Sequence, residues 1–209
     1  MGHPTRVVSS HQWANSSKLC ALPRLKSKAE GVGFGSGFAT IAATMTIMTP
    51  TLHKGYLPGA IGRIVELHAR YYRELAGFGL AFESRVAREL CEFCERYEDE
   101  CDGLWLVLQD GNIEGAIAID GSRAGQEGAH LRWFIVSDSM RGTGVGTALL
   151  ASAMEFCRAR HYPRVYLWTF EGLGAARHLY EKFGFRLAHQ QRGTQWGAEV
   201  NEQRFVLQI

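Results

Sequence analysis

Three glycines at alternate positions, Gly142, Gly144 and Gly146, follow Arg141 and precede Thr147 in the run Arg-Gly-Thr-Gly-Val-Gly-Thr. Residue types in this pattern suit anion binding. The first turn of a helix leaves backbone N–H groups unpaired, and its dipole adds partial positive charge at the same end. Glycines let those amides approach oxygen atoms with no side chain in the way, Arg141 adds a fixed charge, and the Thr147 hydroxyl can donate. The run is not a dinucleotide fingerprint, because G-x-G-x-x-G requires glycine where Thr147 stands, and it lacks the lysine of a P-loop. Taken alone, it is either a phosphate cradle or a tight strand-to-helix turn.

Other residues able to do chemistry are scattered. Cys91-Glu-Phe-Cys94 has a metal or redox spacing, but it falls in a helical pattern, with no second Cys or His pair to complete a site. Five irregularly spaced cysteines make no disulfide framework, so structural, reduced thiols are expected. The run Gly31-Val-Gly-Phe-Gly-Ser-Gly37 has no preceding strand, no following amphipathic helix and no P-loop lysine, and reads as a linker. Trp133, Trp168 and Trp196 fall in strand or loop positions, where core packing competes with an aromatic wall around a ligand.

The elements needed to position these groups follow from hydrophobic period. A short first strand is expected over 46–53, with Pro50 confining it to an edge or bulge. Ile61, Ile64, Val65, His68, Tyr72 and Leu75 repeat at helical spacing after Pro58, until Gly77 and Gly79 break the pattern. Phe82, Val86, Leu90, Phe93, Cys94 and Tyr97 mark a second helix. Strands at 104–108 and 113–119 flank Asp110-Gly-Asn112, a hairpin turn. A third strand at 130–136 leads into the glycine run and a helix with Leu149, Leu150, Ala153 and Phe156 inward. A strand at 165–170, a helix at 174–183 and a strand pair at 185–189 and 199–207 complete the chain. The order implies an α+β domain, with a mixed, largely antiparallel sheet flanked by helices and one crossover whose helix begins in the glycine turn.

In that setting the motifs resemble a known family. Arg141-x-x-Gly144-x-Gly146, after Phe134-Ile-Val136 and before an amphipathic helix, is similar to the acetyl-CoA motif of the GNAT N-acetyltransferase superfamily. Ala175-Ala-Arg-His-Leu-Tyr-Glu-Lys-Phe-Gly-Phe185 resembles that family's next motif, at the right separation and on the right elements. The likeness spans about 46–207. It extends to the acetyltransferase half of bacterial MarR–GNAT fusion proteins through Leu131-Arg-Trp-Phe-Ile-Val and Tyr166-Leu-Trp-Thr-Phe, although residues 1–45 are too few for a winged helix.

The resemblance implies the acyl-CoA N-acyltransferase fold over 45–209, with acetyl-CoA as cosubstrate and no metal. The strands at 130–136 and 165–170 should splay, with pantetheine against the backbone of Phe134, Ile135 and Val136. Arg141, Gly142, Thr143, Gly144, Val145, Gly146 and Thr147 should hold the pyrophosphate. Tyr180 takes the place of the acid that protonates the departing thiolate. The family's asparagine seven residues earlier is Leu173 here. Arg177 and Lys182 are candidates for the 3′-phosphate, while Glu83, Glu127, His130, Glu171 or water could relay the amine's proton. The acceptor would be a primary amine of a small molecule or protein, in a cytoplasmic protein able to form a homodimer. A non-catalytic acyl-CoA sensor of the same fold is the alternative.

Composition bounds the rest. A formal net charge of +2 makes no case for nucleic acid, and no run of 18 uncharged apolar residues is present to cross a bilayer. Residues 1–44 carry five basic side chains against one acid, a local +4, leaving −2 for the remainder. This Ser/Gly-rich segment is expected to lie outside the fold, as a disordered tail, an extended start or a mitochondrial transit peptide.

Overall fold

The computed structural model describes residues 49–209. The expectations for residues 1–44, and for the start of the first strand, lie outside the described residues.

One seven-stranded sheet runs in the order β1-β2-β3-β4-β5-β7-β6. Its strands are β1 (Thr51–Lys54), β2 (Gly103–Gln109), β3 (Asn112–Asp120), β4 (Ala129–Val136), β5 (Arg164–Phe170), β6 (Arg186–Gly193) and β7 (Val200–Gln208). The helices are α1 (Ala60–Ala76), α2 (Leu80–Glu95), α3 (Val145–Ala159) and α4 (Gly174–Lys182). Among the described residues only β4 and β5 pair in parallel, so the mixed, largely antiparallel sheet expected from the element order is present.

Local chemistry sets the boundaries. Asp110 and Gly111 both take positive φ, the requirement of a tight hairpin turn, and join β2 to β3. Gly77 closes α1 in the left-handed conformation, its N–H donating to the Arg73 carbonyl while the Phe78 N–H donates to that of Tyr72. Pro50 precedes β1 instead of interrupting it. The strand β6 continues four residues beyond the expected end at 189. Its side chains are almost all exposed, so no apolar alternation marked its length.

The sheet separates two cores. On one side α1 and α2 pack Ile64, Phe82, Leu90 and Phe93 against Leu104, Leu106 and Ile135. On the other, α3 and α4 bring Leu149, Leu150, Met154 and Tyr180 onto Ile117, Val165, Leu167 and Phe205. The strand β4 changes sides part-way. Ala116 pairs with Ile135 but Ala118 with Arg132, so Trp133 and Phe134 together oppose Ile117, and Trp133 has φ 46°. This β-bulge turns Leu131 toward one core and Trp133 toward the other.

The bulge stands beside the feature that opens the molecule. The pairing of β4 with β5 is confined to Ala129↔Val165 and His130↔Tyr166. Beyond these pairs β5 stays hydrogen-bonded to β7 along its whole length, while β4 stays with β3. The two central strands therefore splay, as the resemblance implied, and among the described residues 131–136 has no strand partner on the β5 side.

Candidate active site

On the α3/α4 side, the splay opens into a groove of about 430 Å³. Phe134, Ile135 and Val136 line it from β4, and Arg141, Gly142, Gly144, Gly146 and Thr147 from the turn and first residues of α3. Leu173, Ala175, Ala176, His178, Leu179, Tyr180 and Lys182 form the opposite wall. Gly142 (φ 77°) and Gly144 (φ 91°) hold left-handed conformations that a side chain strains. Gly144 is the N-cap of α3 and makes no side-chain cap, so the first-turn amides of α3 are left to another acceptor.

The remaining turn residues divide by role. Arg141 bonds Asp138 at 2.5 Å, and its guanidinium lies 4.3 Å from the Tyr71 ring centroid on α1. The Thr143 hydroxyl donates to the Met140 carbonyl (2.7 Å), and neither Thr143 nor Val145 is among the residues lining the groove. Leu173 is buried in the groove wall at the N-cap of α4 and brings no polar group. Lys182 lines the groove, whereas Arg177 is bonded to Glu181 at 2.8 Å.

A second, smaller cavity of about 160 Å³ lies toward α1 and α2. Trp133, Trp168 and Trp196 all line it, as do His68, Tyr72, Phe82, Arg85, Glu89, His130, Arg132 and Tyr180. The two openings share Tyr72, Phe134 and Tyr180. Tyr180 is 6% exposed, its ring about 6 Å from those of Phe134, Phe185 and Phe205. Burial, with the neighbouring Tyr72 and Tyr71 phenols, pushes its hydroxyl far above the ordinary tyrosine value. It is therefore a neutral donor at any working pH.

Of the four residues considered as proton relays, only His130 lines this cavity. Glu83 is exposed, Glu171 bonds Asn201 at 2.9 Å, and Glu127 pairs with Arg123 at 2.7 Å. His130 stacks on Tyr166 with ring centroids 4.4 Å apart. Burial, then the positive charge of Arg132, lowers its pKa to about 3. His68, absent from the candidates drawn from sequence, is buried and donates Nδ1–H to the Ile64 carbonyl at 2.8 Å. Desolvation lowers its pKa to about 4. Both imidazoles are neutral at physiological pH, with weakly basic lone pairs.

Arg85, Glu89 and Arg132 were also missed as cavity residues. The signal was present: Glu89 stands beside Leu90 on the flank of the stripe Phe82-Val86-Phe93, and Arg132 interrupts an apolar strand. Among the described residues no group of His, Cys, Asp or Glu could hold a metal, and no helix is long and apolar enough to cross a membrane.

Residues 62–185 match the model of the acetyltransferase (GNAT) family. The chain belongs to that family. It is similar to N-acetylaspartate synthetases, at 24% identity to the Xenopus tropicalis protein over 78% of this chain and 60% of that one. For the Homo sapiens protein the figures are 36%, 57% and 40%. The chain thus spans about 60% or less of the length of these curated relatives. A GNAT acetyltransferase from Elizabethkingia anophelis, solved with acetyl-CoA bound, shares the fold. Its TM-score is 0.55 at 16% identity, covering 77% of this chain and 98% of that one.

Proposed function

We propose that this protein transfers an acetyl group from acetyl-CoA directly to a primary amine. The observation that carries this reading is the meeting of two openings at Tyr180: a groove ending in the glycine turn, and a cavity ending in polar side chains. Acetyl-CoA in the groove would set its pyrophosphate on the amides of Gly142–Thr147 and the Arg141 guanidinium, with pantetheine along Phe134–Val136. The unpaired strand backbone can then donate to the thioester oxygen as charge develops there.

The neutral amine attacks the carbonyl carbon, the C–S bond breaks, and the sulfur leaves as a thiolate. Tyr180 donates its proton to that sulfur. A phenol raised by burial is a weaker acid, but the thiolate forms in the same desolvated place and its proton affinity rises too. The difference between the two governs the transfer. The amine's proton leaves through water or a neutral imidazole.

The relatives named as synthetases of N-acetylaspartate favour a small-molecule acceptor over a protein. The likeness to MarR–GNAT fusions rests on the two strand segments alone. Exposed β6, at the sheet edge, offers a strand along which a second copy could pair into a homodimer.

Tyr180→Phe tests the reading. Isothermal titration should show unchanged acetyl-CoA binding, while kcat falls by about 100-fold or more with KM little altered. Undiminished kcat ends the acid role. Tight acetyl-CoA binding without turnover of any amine would favour the sensor.

A further inference from the structure

The smaller cavity carries more charge than transfer to a bare amine requires. Arg85 arrives from α2 and Arg132 from β4, and both line it. Glu89, one helical turn after Arg85, holds the two together: Arg85 Nε donates to Oε1 at 2.6 Å, and Arg132 Nη2 donates to Oε2. Two guanidiniums against one carboxylate leave the wall with one net positive charge, since His68 and His130 are neutral there. Asp120 is a weaker partner, 3.7 Å from Arg132 Nη1, and is already engaged by Arg96 and by the Ser122 hydroxyl at 2.7 Å.

The donors are also incompletely used. A guanidinium presents five N–H groups. Arg85 commits one to Glu89 and one to the Gln195 carbonyl, and Arg132 commits one to Glu89. The Arg132 side chain is only 19% exposed, its plane lying 4.1 Å from the Trp133 ring centroid. Desolvation holds its guanidinium below the usual value, against the pull of Glu89 and Asp120. A half-buried, partly paired cation is costly, and an anion seated beside it recovers that cost. Glu89 fixes both forks in place, so the remaining N–H groups are preorganised for a planar oxyanion.

We propose that the acceptor is a small amino acid, an amine that also bears a carboxylate, with that carboxylate bound by Arg85 and Arg132. This rests on the acetyl-transfer reading. The cavity, at about 160 Å³, is below the range of drug-sized ligand sites, roughly 300–1,000 Å³. Pairing with the arginines also offsets the carboxylate's own pull on the neighbouring ammonium, lowering the ammonium pKa from that of the free zwitterion and favouring the free base that attacks. Glu89 is a positioning residue in this scheme.

The test uses matched amines with the full chain and acetyl-CoA: L-alanine against ethylamine, L-phenylalanine against phenethylamine, and L-aspartate against its diamide. For at least one pair, kcat/KM should favour the carboxylate by about 100-fold or more, since a site built for a polar group rejects the analogue lacking it. Arg85→Gln should collapse that ratio at least tenfold, raising the KM of the amino acid while the acetyl-CoA KM stays within about twofold. Arg85→Lys, which keeps charge but not the fork, should fall between. Equal rates for the paired amines, or equal losses for both in Arg85→Gln, overturn the proposal and leave acetyl transfer standing. If acetyl-CoA binds and no amine reacts, the proposed function fails. Thermal shifts of the acetyl-CoA complex with succinate and with putrescine then judge the cavity alone: stabilisation by putrescine and not by succinate refutes the carboxylate site.

Discussion

Acidification should destabilise this protein through two particular histidines. An unfolded histidine titrates near 6.5, while His68 is held at about 4 and His130 at about 3. Both folded values are depressed, so below pH 6.5 the unfolded chain takes up protons that the native protein refuses. Stability is complete above 6.5, falls as pH drops toward each folded value, and levels off beneath it. At pH 5 the linkage comes to roughly 2 kcal/mol per histidine, about 4 kcal/mol together, against a typical total of about 5–15. The cause is local. Protonating His68 means placing a charge on a buried ring that water cannot solvate, because Nδ1–H is already given to the Ile64 carbonyl and the added proton falls on Nε2. Protonating His130 means adding charge beside Arg132 and Arg204. Urea unfolding measured from pH 7.5 to 5 should show the midpoint moving down by roughly 2 M for a slope near 2 kcal/mol/M. His68→Gln should lower stability at pH 7.5 yet remove about half of the pH dependence. A wild-type midpoint that is flat between pH 7.5 and 5, or a variant as pH-sensitive as the wild type, would refute the reasoning.

Three further outcomes follow from the geometry. Gly144→Val forces a β-branched residue into φ 91° and should cost about 1–3 kcal/mol in thermal melts, and it should raise the acetyl-CoA KM at least tenfold in steady-state assays. Arg141→Ala removes a guanidinium held by Asp138 and stacked on Tyr71; titration calorimetry should show acetyl-CoA binding weakened about tenfold or more, with the melting temperature almost unmoved. Leu90→Ala empties a fully buried position between α2 and the sheet, and denaturant curves should report a loss of about 2–5 kcal/mol.

The parts of the molecule that were readable from sequence are those where one rule acts alone. Period 3.6 placed α1, α2 and α3, Asp110-Gly111 placed the hairpin, and the glycine run placed the turn before α3, because each depends on residues close together in the chain. The extent of β6 was not readable, since an exposed edge strand has no buried face to impose alternation. The bulge at Trp133 was hidden for a different reason: a tryptophan at positive φ contradicts its own preference, and it is held there by tertiary structure, the pairing with β3 and burial against Phe93. The cavity wall joins residues 85, 89, 132 and 195 through tertiary packing. Arg85 and Gln195 alone read as an ordinary surface charge and a loop residue, and the weak signals at Glu89 and Arg132 do not say that the four meet.

That contrast bears on how such a site could work without a strong base. His68 and His130 are too weakly basic to strip an ammonium whose pKa is near 10, and the other carboxylates considered lie elsewhere. A wall that makes the ammonium more acidic achieves part of the same end thermodynamically, and the neutral imidazoles then need only pass on a proton that is already labile. On that account the alkaline rise of kcat/KM should follow the shifted pKa of the acceptor amine instead of a protein group. Amines of different solution pKa should therefore displace the rise in parallel with their own values. A rise fixed at one pH for every acceptor would assign the proton to the protein, and a base would have to be sought among the groups that line the cavity.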